Sequence, residues 1–362
     1  MALARLHKSD LNVAVVGCGF IASTVHLPLL TRFRGVKVTA VCDVEKNKAL
    51  EISRRFQIPT AYADLELMLK EEKPDLVDIC TPPDCHADQL LRCFEMGYSC
   101  MVEKPLTTHS RDAGKLVSLA KEKSLDLFVL HTYSYLPCFR KAKSMLAEGR
   151  IGNLSTVDIR YLTPLKSERY FGSNHWAHKL PAGILSSEIT PHLLMLLLDV
   201  LGKIDEARIF ANKTTDLSYI AADELRMILR SDPSVGCLSL LYNSPVTVFT
   251  LELIGDKGYL FVDGNSESVI YHKAESTSIT RRTFSRGLWS LSDIWQRSAG
   301  LVATTLNVLL RRYKVVADGH RYLMKECFSA LRGESSYPVD NQKACEVVEL
   351  LEKIYQSVNG QR

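Results

Sequence analysis

The feature that most constrains this chain is a succession of short apolar strands, each followed by a helical stretch, between Asn12 and Leu130. A strand buried on both faces reads as a near-continuous apolar run, and a parallel neighbour requires a crossover before the chain can return. Asn12 to Val16 is such a run, followed by Val36 to Cys42, Ala61, Leu76 to Cys80, Ser99 to Val102 and Leu125 to Leu130. A helix to about Phe33 follows the first strand, and helical spacing recurs over Lys46 to Phe56, Leu65 to Lys70, Ala87 to Met96 and Ser110 to Lys123. This alternation predicts a doubly wound parallel α/β sheet. Ligands of such sheets bind beyond the carboxyl ends of the strands, so the residues standing there carry the functional information.

The first strand ends in Gly17-Cys18-Gly19-Phe20-Ile21-Ala22. A dinucleotide pyrophosphate needs bare backbone N–H groups and the positive end of a helix. Gly17 permits the tight turn, Gly19 removes a Cβ that would block the phosphates, and Ala22 allows close helix–strand packing. The spacing alone is weak, but its position after a strand and before a helix is the required context. Phe20 and Ile21 are therefore cofactor-site candidates with the glycines. Asp43 ends the second strand, where a carboxylate accepts hydrogen bonds from ribose hydroxyls and repels a 2′-phosphate. That favours NAD over NADP, although Lys46 and Lys48 partly offset the repulsion; Asp43 also suits a helix N-cap.

Two further segments face the same crevice. Thr81-Pro82-Pro83-Asp84-Cys85-His86 forms an extended loop bordering the cofactor, with His86 as a helix cap or a cofactor contact. Glu103-Lys104-Pro105 follows another strand end; Lys104 there suits proton transfer with a substrate, and Glu103 suits anchoring the lysine or the ribose.

The pattern changes after Leu130. Pro137 to Glu148 is helical, and longer alternating segments follow: Leu154 to Leu162, Lys203 to Lys213, Asp223 to Leu229, Gly236 to Tyr242 and Val246 to Ile254. These predict a mostly antiparallel sheet covered on one face, hence an α+β second half. A helix is expected over Glu188 to Leu201, with others at Gly319 to Leu331 and Asn341 to Asn359. Glu188 and His192 are four residues apart and would share a helical face, as acid–base work requires. A metal at this pair would lack a third nearby ligand. The stretch from Ala274 to Ala317 reads as an insertion. Its Leu301 to Leu310 run, ahead of Arg311-Arg312, suits packing on the sheet or a second subunit better than a membrane surface.

Composition narrows the class. The 362 residues suit two domains, and a formal net charge of +4 with no dense basic block argues against nucleic acid. Ten cysteines without a C-x-x-C pair point to reduced thiols rather than a zinc site or disulfides. Met1 to Asp10 lacks the features of a secretion signal, and Leu301 to Leu310 is too short to span a bilayer. A cytoplasmic enzyme is the expectation.

Taken together, Ala14 to Gly19, Cys80-Thr81-Pro82-Pro83 with His86, Val102-Glu103-Lys104-Pro105-Leu106, Glu148-Gly149-Arg150-Ile151-Gly152, Trp176, the segment Gly183 to His192 and Tyr337-Pro338-Val339 resemble the Gfo/Idh/MocA oxidoreductases. The resemblance implies a Rossmann domain over 1–133 that binds NAD(P). It also implies an open, mainly antiparallel sheet domain over 134–362 that shapes a sugar or cyclitol site and supports a homo-oligomer, dimer or tetramer, with the last helix, 341–359, returning to the first domain. It puts Lys104 at the substrate. The family's Asp-x-Gly-x-His motif is altered here, with Glu188 for the aspartate and Thr190 for the glycine, while His192 is kept. The implied chemistry is hydride transfer between a secondary alcohol carbon of a sugar, nucleotide sugar or cyclitol and nicotinamide, with His192 or Lys104 taking the hydroxyl proton. Tyr133, Tyr170, Trp176 and His178 are candidate pocket residues. Two alternatives are a glycosidase or lyase that retains NAD through transient oxidation, and a non-catalytic NAD-binding regulator.

Overall fold

A computed structural model describes residues 10–164, 172, 175–275, 315–338 and 340–359, with four isolated positions at 296, 298, 302 and 305. Tyr170 and nearly all of the 274–317 segment, including most of the Leu301 to Leu310 run, lie outside the described residues. The chain divides into two compact units, Met1–Thr132 with His320–Glu352, and Tyr133–Gly319 with Lys353–Arg362.

The first unit is built on six parallel strands: β1 Leu11–Val16, β2 Val36–Cys42, β3 Thr60–Tyr62, β4 Leu76–Ile79, β5 Cys100–Glu103 and β6 Leu127–Leu130. Their order is β3-β2-β1-β4-β5-β6, which reverses direction of travel between β1 and β4. At that switch point the helices leave toward opposite faces and a crevice opens at the strand ends. Val13, Ala14 and Val15 are fully buried, as a central strand covered on both faces must be. Helices α2 Lys46–Phe56, α3 Leu65–Glu72, α4 Pro83–Glu95 and α5 Ser110–Glu122 supply the crossovers. After β1 comes a π-helical turn, Ala22–His26, that runs into α1 Leu27–Leu30.

His320–Glu352 belongs to this first unit rather than wholly to the second half. The Tyr337 ring stacks on Phe128 at 4.9 Å, and its hydroxyl accepts the Leu127 N–H and donates to the Leu127 carbonyl. Phe328 meets Phe33 edge-on at 5.5 Å, a contact worth about 0.5–1.5 kcal/mol beyond its buried area. Glu352 accepts the Ser110 N–H at 3.0 Å, which places a carboxylate at the positive end of α5. The helices carrying these residues are α9 Val315–Leu331 and α10 Asn341–Asn359, with Tyr337 between them.

In the second unit α6 Pro137–Ala147 precedes β7 Leu154–Leu162, and a seven-stranded sheet is completed by β8 Glu206–Asn212, β9 Glu224–Ser231, β10 Ser234–Leu241, β11 Val248–Gly255, β12 Gly258–Asp263 and β13 Ser268–Lys273. The order is β13-β12-β11-β7-β10-β9-β8, and every pair is antiparallel except β7 with β10. The β12–β13 hairpin adds two strands beyond the five alternating segments recognised in the sequence. α6 packs on β12 and β13, and the helix Thr190–Leu201, here α8, packs on β7 and β10. Gly236 permits that approach: a Cβ there would come within 2.6 Å of Leu201 Cδ1. On the other face Phe210, Ile228, Val235 and Ile254 are each more than a third exposed.

Candidate active site

The glycine turn lies where β1 stops. Gly17 has φ +91°, and a Cβ there would stand 2.9 Å from both the carbonyl carbon and the oxygen of Cys80. The turn is thus pressed against the end of β4, and only glycine combines that φ with that contact. Gly19 is different. A Cβ on it would meet nothing within 4 Å, so its missing side chain leaves open space above the turn. Phe20 is 38% exposed at the start of the following helix. Ile21 is half-buried beside it, and Ala22 is fully buried.

Asp43 closes one side of this space. Its Oδ2 accepts the Cys18 N–H at 2.8 Å and its Oδ1 accepts the Glu45 N–H at 2.9 Å. The carboxylate is therefore oriented by the turn itself, and each oxygen keeps a lone pair for a further donor. It is not the N-cap of α2, a place taken by Glu45. Lys48 is ion-paired with Glu45, so its charge is already answered.

Thr81 and Pro82 lead from β4 into α4, with Pro82 extended as the helix N-cap. Thr81 donates to Gln89 Oε1 at 2.6 Å, and its methyl group lies in the space a Gly17 side chain would need. His86 differs from the expectation of a cofactor contact. It is fully buried, with Nδ1 3.0 Å from the Pro105 carbonyl and Nε2 2.9 Å from the Thr81 carbonyl. One ring nitrogen faces the Thr81 loop and the other the Lys104-Pro105 turn, and a neutral ring donates its single N–H to one of these carbonyls. Burial pushes its imidazole below the ordinary value.

Glu103 is also committed to protein partners. Its Oε1 takes His26 Nε2 at 2.8 Å and His320 Nε2 at 3.1 Å, and its Oε2 accepts the Lys104 N–H at 3.3 Å. Lys104 itself is half-buried at the strand end. His26, Asp78, Cys80 and His320 form this hidden group with Glu103, and none was singled out for chemistry in the sequence. The available signal was a histidine within an apolar helical stretch, Val25-His26-Leu27-Pro28-Leu29-Leu30, whose burial demands a partner.

In the second unit the expected helix over Glu188 to Leu201 is broken. Ile184–Ser187, here α7, ends before Glu188, and α8 starts at Thr190. Pro191 has no N–H to return to the Ser187 carbonyl, which interrupts a continuous helix. Glu188 and His192 therefore do not share one helical face. Glu188 Oε1 instead lies 3.8 Å from His175 Nε2. His192 is 6% exposed and stacks flat on Tyr133, centroids 4.2 Å apart. Tyr133 is half-buried, and desolvation followed by the neighbouring Tyr161 and Tyr242 pushes its phenol well above the ordinary value. Trp176 and His178 sit on a 3₁₀ turn, Trp176–Lys179, and His178 meets Tyr219 edge-on at 5.0 Å. His175 and Tyr161 are additions that sequence reasoning did not single out.

Two models of one family match most of the chain. An oxidoreductase-family model with an NAD-binding Rossmann fold covers residues 11–131, and the Gfo/Idh/MocA C-terminal domain model covers 139–261. The chain belongs to the Gfo/Idh/MocA family. Myo-inositol 2-dehydrogenase of Thermotoga maritima is 22% identical over 72% of this chain and 77% of its own. D-glucoside 3-dehydrogenase of Escherichia coli is 25% identical over 55% of this chain and 56% of its own. Among solved structures, the WlbA dehydrogenase from Bordetella pertussis, in complex with NADH and UDP-GlcNAcA, superposes with a TM-score of 0.80 at 18% identity and covers 98% of this chain and 96% of that one.

This Gfo/Idh/MocA protein is an oxidoreductase that uses NAD. The residues present fit that cofactor, because the open space above Gly19 and the oriented Asp43 carboxylate supply what a pyrophosphate and a ribose require. Among the described residues no helix is long and apolar enough to cross a membrane. The Asp43 geometry predicts that Asp43→Ser weakens NADH binding about 10- to 100-fold, the range for charge-assisted hydrogen bonds. NADPH binding should change far less, so the preference for NADH narrows; fluorescence titration with the two cofactors reads both.

Proposed function

We propose that this chain transfers a hydride between NAD and a secondary alcohol or ketone of a sugar, nucleotide sugar or cyclitol. The observation that carries this reading is the half-buried Lys104 at the end of β5, tethered on both sides in the strand-end crevice that also holds the glycine turn. Relatives named for acting on a glucoside and on inositol support the substrate class. When bound, NAD supplies the hydride acceptor. Lys104 and His192 handle the charge that remains on the substrate. One takes the hydroxyl proton as hydride departs, and the other stabilises the developing oxyanion. Tyr133 orients His192 by stacking, and Trp176 and His178 are proposed to line the substrate side.

The test is a panel of sugars, nucleotide sugars and cyclitols assayed with NAD, read by absorbance of reduced nicotinamide. Net NADH accumulation with at least one member is expected. Product formation without net NADH would instead support a bond-breaking cycle that retains its cofactor. NADH binding with no turnover of any member, in either direction, would count against the substrate class.

The sheet face opposite α8 is proposed as the seat of a second copy of the chain. Register puts Phe210, Ile228, Val235 and Ile254 on that one face, each more than a third exposed. Light scattering should give a dimer or tetramer mass, and Ile228→Glu should lower it. A single-chain mass for the unaltered protein would remove this assignment.

A further inference from the structure

Three segments far apart in the chain converge on His26. This imidazole is 0% exposed, in the π-helical turn that continues the glycine turn. Its Nδ1 lies 2.8 Å from Asp78 Oδ2 and its Nε2 2.8 Å from Glu103 Oε1. Cys80 Sγ stands 3.1 Å from the same Nδ1, and the His320 ring approaches edge-on at 5.5 Å. These groups, from β4, the residue after it, β5 and α9, are the titratable neighbours that face His26 from the elements packed on it.

An ionised carboxylate oxygen only accepts. A neutral imidazole has one N–H, so one of its nitrogens would direct a lone pair at a carboxylate oxygen at a position with no solvent exposure. Both contacts are satisfied only when both nitrogens carry hydrogen. Glu103 draws further donors from His320 Nε2 and the Lys104 N–H, which favour its ionised form. We propose that His26 is a positioning residue, a buried imidazolium that clamps Glu103 to Asp78 and thereby holds the Lys104 peptide in register with the glycine-turn helix. Its importance for turnover rests on the reading of Lys104 given above.

The protonation equilibria agree in sign. Burial alone pushes the His26 imidazolium down, but Asp78 and then Cys80 outweigh it and leave the group well above its ordinary value of 6.5. Burial pushes Glu103 up, yet the hydrogen bonds from His26 and His320 carry it well below its ordinary 4.5. The His26 contribution to stability is complete below 6.5 and is lost as pH rises through the raised value. The Glu103 contribution is complete above 4.5 and is lost as pH falls through the lowered value. The same side chains form two sets, His26 with Glu103 and His320, and His26 with Asp78 and Cys80, whose ligand atoms lie within 4.8 Å of one another. A metal at either set would need the lone pair that the bridge requires to be protonated.

The full-length protein, labelled with ¹⁵N-histidine, tests the bridge by NMR at about pH 8.5, where an ordinary histidine is neutral. One histidine should keep two slowly exchanging ring N–H protons, and its signals should vanish in His26→Gln. Positioning is read without a substrate by trace acetylation and peptide mass spectrometry. The Lys104 rate, normalised to the exposed Lys37 and Lys46, should change about fivefold or more in His26→Gln, and likewise in Glu103→Gln if the first variant does not fold. A singly protonated His26 ring at that pH, or one equivalent of zinc in the purified protein, would overturn the bridge. Unchanged Lys104 labelling in a folded variant would overturn the positioning role. Neither result touches the catalytic reading of Lys104, which falls separately if Lys104→Ala keeps its turnover.

Discussion

Lys104→Ala is expected to lower turnover by about 10²–10⁴-fold while leaving NADH affinity within about threefold, because general acid–base groups contribute on that scale and the dinucleotide contacts lie elsewhere. The lysine follows Glu103, whose carboxylate is held by His26 and His320, and precedes Pro105, whose carbonyl is held by His86. Removing the side chain beyond Cβ leaves these tethers in place, so a loss of turnover would not come from collapse of the loop. Lys104→Arg then separates two roles. Arginine keeps the positive charge but does not give up its proton in a protein. If Lys104 takes the hydroxyl proton, the arginine variant is as inactive as the alanine one. If Lys104 stabilises the oxyanion and His192 takes the proton, arginine recovers part of the rate and His192→Gln shows the larger loss. Steady-state rates with a substrate from the panel, beside NADH titrations of each variant, read the difference. Lys104→Ala with unchanged turnover would remove this residue from the mechanism.

The parts of the fold legible in the sequence are those set by local physics. Asn12 to Val16 is apolar because both faces of a central strand are covered, and β1 lies there, one residue longer. Leu154 to Leu162 alternates and is β7 over those residues. The β12–β13 hairpin lies outside the five alternating segments, although Gly264-Asn265 between its strands is a turn signal. The helix drawn through Glu188 and His192 failed at one residue, Pro191, whose missing N–H outweighs the apolar run that follows.

The site divides along the same line. Gly17, Gly19 and Asp43 are readable because each is required by its position relative to a strand end. His26, Asp78, Glu103 and His320 are not, because their relation exists only after β1, β4, β5 and α9 have packed. Glu103 shows the consequence. Beside Lys104 in sequence it reads as a partner for ligand or lysine, whereas its carboxylate is committed to two buried histidines. His86 follows the same logic, since its place between two backbone carbonyls appears only when their loops come together.

The two glycines of the turn should fail in opposite ways when given a methyl group. In Gly17→Ala the new Cβ sits at φ +91° and 2.9 Å from the Cys80 carbonyl carbon and oxygen. The left-handed conformation costs about 1–2 kcal/mol and the backbone contact adds to it. A loss near 3 kcal/mol, or roughly 6–12 °C in melting temperature, is expected whether or not NADH is present. In Gly19→Ala the Cβ meets nothing within 4 Å among the described residues beyond its chain neighbours, so the melting temperature of the free protein should hardly move. That same Cβ fills the space in which a pyrophosphate must approach the backbone, and NADH affinity should fall about 100-fold or more. Thermal melts with and without NADH separate the cases. Gly17→Ala lowers both curves, whereas Gly19→Ala removes only the upward shift that NADH gives the unaltered protein. A Gly19→Ala variant that keeps the full shift would mean that the phosphates do not lie over this turn.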